Sequence, residues 1–387
     1  MAEQRAHRRR FAVSLRAMLG GVFIFALALG LWINDARQQQ AAIATIWAFD
    51  INAHIEYEND DDQGDSVGWT VWAIGGRSSW LTHWMVGQLG RDYFHSVAWV
   101  QFGQNSPAAN AHRRDEVIQA VTRLRGLVGV NLGGLDINDA DIAKISGIRN
   151  LKWLQLGGGR IRLTDAALRT ISRKSSLESL SISDAPITDL GLAYLGQLPR
   201  LKTLRLGSSP LLPRIQSRGP ELFPSKPFKN WITGSGFAGP GAFPALGNLH
   251  LYSSALTGEG LRSLGSLDRI AWLEIMGGSI TDDDLRHLAP LHDLEVLSIM
   301  EVNLDGTGFR HLAGLAKLAE LEIHYSTIDD SAIPFLEKLP VLRSLKLFDT
   351  RVTDSGLIGL RALPRFKPTT GFISVELSGT LPDAPKK

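Results

Sequence analysis

The chain has 387 residues, of which 44% are hydrophobic and 21% charged, the balance of a folded protein and not of a disordered one. Its net charge of +2 is unevenly spread: Arg5, Arg8, Arg9, Arg10 and Arg16 against Glu3 give the first 16 residues +4 and leave the remainder at −2, which argues against nucleic acid as the main ligand. There is no cysteine, which excludes disulfides and thiolate chemistry without deciding the compartment.

Residues 1–16 form the basic tail. From Ala17 to Ile33 the chain reads AMLGGVFIFALALGLWI, 17 residues without a charge. That is the lower limit for a helix spanning roughly 30 Å of hydrocarbon, and Phe11, Ala12, Val13 and Leu15 lengthen it if Arg16 snorkels. Trp32 stands where an interfacial aromatic belongs. The basic flank predicts a single-pass transmembrane helix over 17–33, with a cytoplasmic N-terminus and the rest of the chain on the periplasmic or extracellular side. A second reading is a signal peptide, with small residues near Ala26 and Ala28, whose cleavage would leave the protein secreted. Arg8-Arg9-Arg10-Phe11 also weakly resembles a twin-arginine signal. The apolar run continues through Gly30, Leu31, Trp32 and Ile33 without a small-x-small site at its end, which favours the anchor.

Residues 34–96 read as a juxtamembrane linker and N-terminal cap. DARQQQAAIATIWAFD continues the helix, and INAHIEYE alternates as a short strand. The acidic turn that follows carries Asp60, Asp61, Asp62 and Asp65. Placing Gly64 at the sixth position of a calcium loop puts Thr70 where a bidentate Glu is required, so the turn reads as solvated. The segment with Trp80, Trp84 and Phe94 is suited to cover the open apolar end of the array that follows.

From Leu246 the chain repeats every 24 residues, with LGNLHL, IAWLEI, LEVLSI, LAELEI and LRSLKL beginning at Leu246, Ile270, Leu294, Leu318 and Leu342. Each fits LxxLxL, whose alternation is that of a half-buried strand. Less regular copies begin at Val97, Leu127, Leu151, Leu177 and Leu201, and FISVEL from Phe372 makes the last of eleven candidate strands. Many blocks continue with Asn138-Asp139, Thr164-Asp165, Thr188-Asp189, Thr281-Asp282 or Thr353-Asp354, where the first residue caps a helix and the acid favours its positive end. Apolar residues three apart, as at Leu285, Leu288 and Leu291, then bury one helical stripe. A fixed period of this length predicts a solenoid.

Over Val97 to about Leu377, residues 97–377, the chain resembles the leucine-rich-repeat family. More narrowly it resembles bacterial membrane-anchored members with an L-x-x-L-x-L…I-T-D-x-G-L unit. That motif is matched best at Ile187-Thr188-Asp189-Leu190-Gly191-Leu192 and Val352-Thr353-Asp354-Ser355-Gly356-Leu357. The resemblance implies an α/β fold: a right-handed stack with parallel strands on the concave face and short helices on the convex one. It also implies protein binding, although a fold does not fix a ligand. Lys174 departs from the pattern at a leucine position, and the asparagine common after the strand is mostly absent. Residues 378–387 are a C-terminal tail.

Outward strand positions carry whatever specificity the array has. After the sixth residue of each regular block stand Tyr252, Met276, Met300, His324 and Phe348, where the earlier blocks have Gly133, Gly157, Ser183 and Gly207. Beside this column lie Trp153, Trp272, His250, Glu274, Glu320 and Glu322. Exposed aromatics, methionines and acids in one strip suit a protein partner. The alternative is that the column packs beneath the following turn. Between the blocks at Leu201 and Leu246 the period breaks, and 207–245 reads as an insertion with Arg214, Arg218, Lys226, Phe228, Lys229 and Trp231 as contact residues. Gly234, Gly236 and Gly239 spell G-x-G-x-x-G, but Pro240 and Pro244 forbid the helix a dinucleotide site needs.

The chain has no nucleophile elbow, zinc-protease helix or phosphate loop, and no cofactor is expected. The reading is a non-enzymatic, membrane-anchored recognition module that binds a protein or envelope polymer through its concave face. A structural spacer of the envelope, or a regulatory subunit of a signalling complex, is the alternative.

Overall fold

The computed structural model describes residues 15–50, 52–57, 96–102, 111–157, 162–207, 231–239, 241–252, 254–363, 366 and 372–376. These residues build one twelve-stranded sheet whose order follows the sequence. The strands are β1 (His54–Tyr57), β2 (Val97–Gln101), β3 (Gly129–Asn131), β4 (Trp153–Leu156), β5 (Ser179–Ile182) and β6 (Thr203–Leu206). They continue as β7 (Asn248–Leu251), β8 (Trp272–Met276), β9 (Val296–Met300), β10 (Glu320–His324), β11 (Ser344–Phe348) and β12 (Phe372–Glu376). β1 pairs antiparallel with β2, and every later pairing is parallel. In the regular half the register advances by one 24-residue period per strand, so Trp272, Val296, Glu320 and Ser344 lie side by side.

The leucines of LxxLxL point into the stack. Leu273, Leu297, Leu321 and Leu345 are each no more than 1% exposed. They pack against a convex layer of short helices, including α-helices over Asp139–Ile145, Asp165–Ile171, Asp189–Leu195 and Gly258–Leu264 and 3-10 helices over Asp283–Leu288 and Thr307–Leu312. Asn138, Thr164, Thr188 and Thr257 cap the four α-helices through their side chains. The two 3-10 helices have no side-chain cap.

Asp139, Asp165, Asp189 and Asp282 reach into the next repeat, whereas Asp354 pairs with Arg361 of its own turn. Asp139 accepts hydrogen bonds from the backbone N–H and hydroxyl of Thr164 at 2.9 and 2.6 Å. Asp165 does the same for Thr188 at 3.0 and 2.6 Å. Asp282 accepts from the N–H groups of Asp305, Gly306 and Gly308, all at 2.9 Å. These carboxylates satisfy amide donors left open where a helix begins, so the chain of contacts staples consecutive turns. The glycine of the motif follows from the same contact. A Cβ on Gly191 would lie 2.2 Å from Asp165 Oδ1, and one on Gly356 2.2 Å from Asp330 Oδ1.

The turn after the strands has its own recurring device. Gly134, Asp184, Gly277, Glu301, Tyr325 and Asp349 all have positive φ, between 51° and 83°. At Gly277, Glu301 and Tyr325 the backbone N–H still donates to the neighbouring repeat (to Met300, His324 and Phe348, at 2.9, 3.1 and 3.0 Å), which extends the ladder while the chain turns. Lys174, at its leucine position, directs its Nζ to the Ile148 carbonyl of the preceding repeat, and burial lowers its pKa from the ordinary lysine value.

At the N-terminal end a single helix, α1 (Leu15–Phe49), runs for 35 residues. Its Met18–Phe49 stretch is long and apolar enough to cross a membrane. Met18, Phe23, Ile24 and Phe25 are exposed, whereas Ala42, Ile43, Ile46 and Phe49 are buried in the same core as the leucines. Phe49 meets Phe102 edge to face at 6.3 Å. The end of α1, inside the 34–96 linker and cap segment, thus takes part in closing this end of the core. The cap expected around Trp80, Trp84 and Phe94 lies outside the described residues.

The insertion is narrower than its expected bounds. Residues 231–239 already belong to the stack: Ile232 and Phe237 are fully buried, and Trp231 bridges in parallel to Thr188. Thr233 donates its N–H and hydroxyl to Asp189 at 3.0 and 2.6 Å. Arg214, Arg218 and Lys229 lie outside the described residues.

Candidate recognition face

Three rows of side chains stand on the open side of the sheet over β7–β11. The row nearest the strand starts is led by Trp272, whose ring is 43% exposed. The middle row holds His250, Glu274, Ser298, Glu322 and Lys346 in register. The third row is the column of Tyr252, Met276, Met300, His324 and Phe348.

The column is not continuously exposed. Met276 and Met300 are only 3% and 1% accessible and His324 8%, while Tyr252 and Phe348 at its two ends are half-buried. In-register rows about 4.8 Å apart let bulky neighbours cover one another, so the interior of a column closes and its ends stay open. The two methionines therefore pack instead of presenting themselves, which corrects the expectation of five outward contacts.

Polar groups fix the two ends. Glu274 Oε2 accepts from Tyr252 Oη at 2.9 Å and contacts His250 Nδ1 at 2.6 Å, and the imidazole lies 5.8 Å from the Trp272 ring. Burial, reinforced by the Glu274 carboxylate, pushes the Tyr252 phenol far above its ordinary value, so it is a neutral donor. At the other end Glu322 contacts His324 Nε2 at 2.8 Å, and His324 stacks on Phe348 with ring centroids 4.3 Å apart. The hydrogen bond from His324 is the main cause holding the Glu322 carboxyl below its ordinary value; Lys346, at 3.7 Å, acts in the same direction. Tyr325 and Glu301 border the face from their left-handed turn positions.

The expected residues thus divide into two hydrogen-bonded ends, Tyr252–Glu274 with Trp272 and Glu322–His324–Phe348, joined by buried methionine. Trp231 is 63% exposed but sits on the segment that returns to the helix layer, bridged to Thr188, away from the strands. Glu301 and Tyr325 escaped sequence reading, since nothing in LxxLxL marks the left-handed position when it is not glycine. Among the described residues, no group of three His, Cys, Asp or Glu side chains is placed to hold a metal ion.

A leucine-rich-repeat family model matches residues 173–196 and 338–360, each spanning one turn of the stack. No match is found among curated protein sequences. Similar solved structures include two internalins. Internalin C2 from Listeria monocytogenes is 24% identical over 62% of this chain and 84% of that chain, with a TM-score of 0.41. Another internalin of that organism, inlF, is 18% identical over 78% of this chain and 95% of that one, with a TM-score of 0.35. The 24-residue motif and the parallel sheet with one strand per repeat are those of a leucine-rich-repeat solenoid, and the family model matches two of its turns.

Proposed function

We propose that this protein is a non-enzymatic recognition module, held on a single N-terminal membrane anchor, that binds a protein partner through the concave face of β7–β11. The observation that carries this reading is the Tyr252–Glu274–His250 cluster beside exposed Trp272. Its side chains are held in place by hydrogen bonds before any partner arrives, which lowers the ordering cost of binding. Glu322, His324 and Phe348 form the second contact region, and Met276 and Met300 support both from beneath. The anchor reading rests on the exposed apolar half of α1 and the basic tail before it, which favour a cytoplasmic N-terminus and repeats on the outer side. The membrane keeps the module where an envelope-facing partner is met.

Substituting Trp272, Tyr252 and Phe348 with Ala, singly and together, tests the reading. Loss of a partner captured by the wild-type protein in its own membrane, with circular dichroism unchanged, supports recognition by this face. An unchanged interaction and phenotype favours a spacer role instead. Protease accessibility of the repeats in intact against opened cells tests the topology, and protection in intact spheroplasts would overturn it.

A further inference from the structure

The first strands of the sheet carry a surface of different chemistry. Register places Glu56, Trp99, Gly129 and Trp153 in one row over β1–β4, and Gln101, Asn131 and Gln155 in the next row of the same face. Gly129 provides the floor: a Cβ there would lie 1.9 Å from Trp99 Cε3, so the indole leans across the glycine. The Trp99 and Trp153 rings consequently approach to 6.5 Å although their strands are not adjacent. Trp153 remains 41% exposed, and Gln101 and Gln155 are exposed beside the rings. The result is an aromatic floor of two indoles tilted 59° to each other, about two strand spacings, roughly 10 Å, across, edged by amides and one carboxylate.

We propose that this floor binds an extended, neutral glycan chain laid across β2–β4, with sugar rings stacked on the indoles. The apolar C–H face of a pyranose matches an exposed indole. Its hydroxyls both donate and accept, as do the side-chain amides of Gln101 and Gln155. A proline-rich peptide would also stack on tryptophan, but its imide nitrogens carry no hydrogen to donate to the side-chain amide oxygens of Gln101 and Gln155. Glu56, half-exposed at the edge of the floor and 2.8 Å from His54 Nε2, disfavours an anionic polymer, and Lys152, 5.9 Å from the Trp153 ring, is engaged by Glu178 at 3.5 Å. The site is separate from the face over β7–β11 and does not depend on that reading.

The test is calorimetric titration of the full chain in detergent micelles with cellotetraose, chitotetraose and hexaproline. Binding of at least one oligosaccharide is expected, with affinity lowered about tenfold in Trp153→Ala and severalfold in Gln155→Ala. Both side chains are exposed, so the fold should survive, and unchanged circular dichroism verifies this. Trp272→Ala should bind the oligosaccharide like wild type even if it abolishes protein capture, which keeps the two surfaces distinguishable. Failure of both oligosaccharides to bind the wild type would overturn the proposal, as would wild-type affinity in both floor variants. Binding of hexaproline in their place would assign the floor to a peptide.

Discussion

The carboxylate of Asp189 accepts the backbone N–H and hydroxyl of Thr233 at 3.0 and 2.6 Å across a separation of 44 residues. Asp165 makes the same pair of contacts with Thr188 at a separation of 23. The staple between repeats therefore closes over the interrupting segment as if the period were intact. Asp189 also accepts from the N–H groups of Gly234 and Gly236. Asp189→Asn should cost about 1.5–3 kcal/mol, the worth of charge-assisted bonds whose amide donors lose their partner. The control is Asp354→Asn, where an exposed pair with Arg361 is lost and the change should stay within about 0.5 kcal/mol. Urea unfolding of the two variants measures both.

Stability should fall on acidification. Burial opposes ionisation of Asp189, but the hydrogen bonds from Thr233, Gly236 and Gly234 outweigh it and hold the carboxyl below its ordinary value of 3.8. Asp284 is lowered in the same way through Thr281, against its own burial. A folded pKa below the unfolded one stabilises above the unfolded value, and that contribution is lost as pH falls through the folded pKa. The denaturation midpoint should thus be flat with respect to these groups from pH 5 to 7 and drop below about pH 4. In Asp189→Asn the drop should be shallower.

Glycine is required in the motif where the preceding repeat's aspartate intrudes. Gly191→Ala would bring a methyl within 2.2 Å of Asp165 Oδ1 and should destabilise by about 1–3 kcal/mol. Gly314 has nothing within 4 Å of the same point and no positive φ. Gly314→Ala should be neutral or stabilise by up to about 1 kcal/mol through the unfolded state. Thermal midpoints of the two variants should move in opposite directions.

Asp349 sits in the left-handed region with φ of 51°, and its buried Oδ1 has no hydrogen-bond partner among the described residues. Asp349→Gly removes the strain and the orphaned oxygen together, so a gain of about 1 kcal/mol is expected, less the greater chain entropy of glycine. A loss of stability on chemical denaturation would mean that the side chain makes a contact that outweighs both.

Strands were the most legible part of this chain. The alternation in LxxLxL marks β7–β11, and INAHIEYE marks β1, because a half-buried strand writes its two faces directly into the residue order. The capping role of Thr164 and Thr188 was legible for the same local reason. What Asp165 and Asp189 do was not, since their partners lie one repeat away and the contact exists only once the repeats are stacked. A period-two pattern gives the direction of Met276 and Met300 but not how far their neighbours cover them, so it leaves an exposed and a packed column both open. Residues 34–96 read as linker and cap together, and the signal that the end of α1 belongs to the cap is the single helical face shared by Ala36, Ala42, Ile43, Ile46 and Phe49.

The claim that the β7–β11 face is where a partner sits is tested most directly by site-specific photocrosslinking of the full chain in its own membrane. A crosslinkable residue in place of Trp272 samples the concave face, and one in place of Arg262, on the exposed convex helix Gly258–Leu264, samples the opposite side. The expected result is a discrete protein adduct from position 272 that is absent from position 262 and is lost when Tyr252 and Phe348 are replaced by Ala. No adduct at 272, or the same adducts from both positions, would contradict recognition through this face.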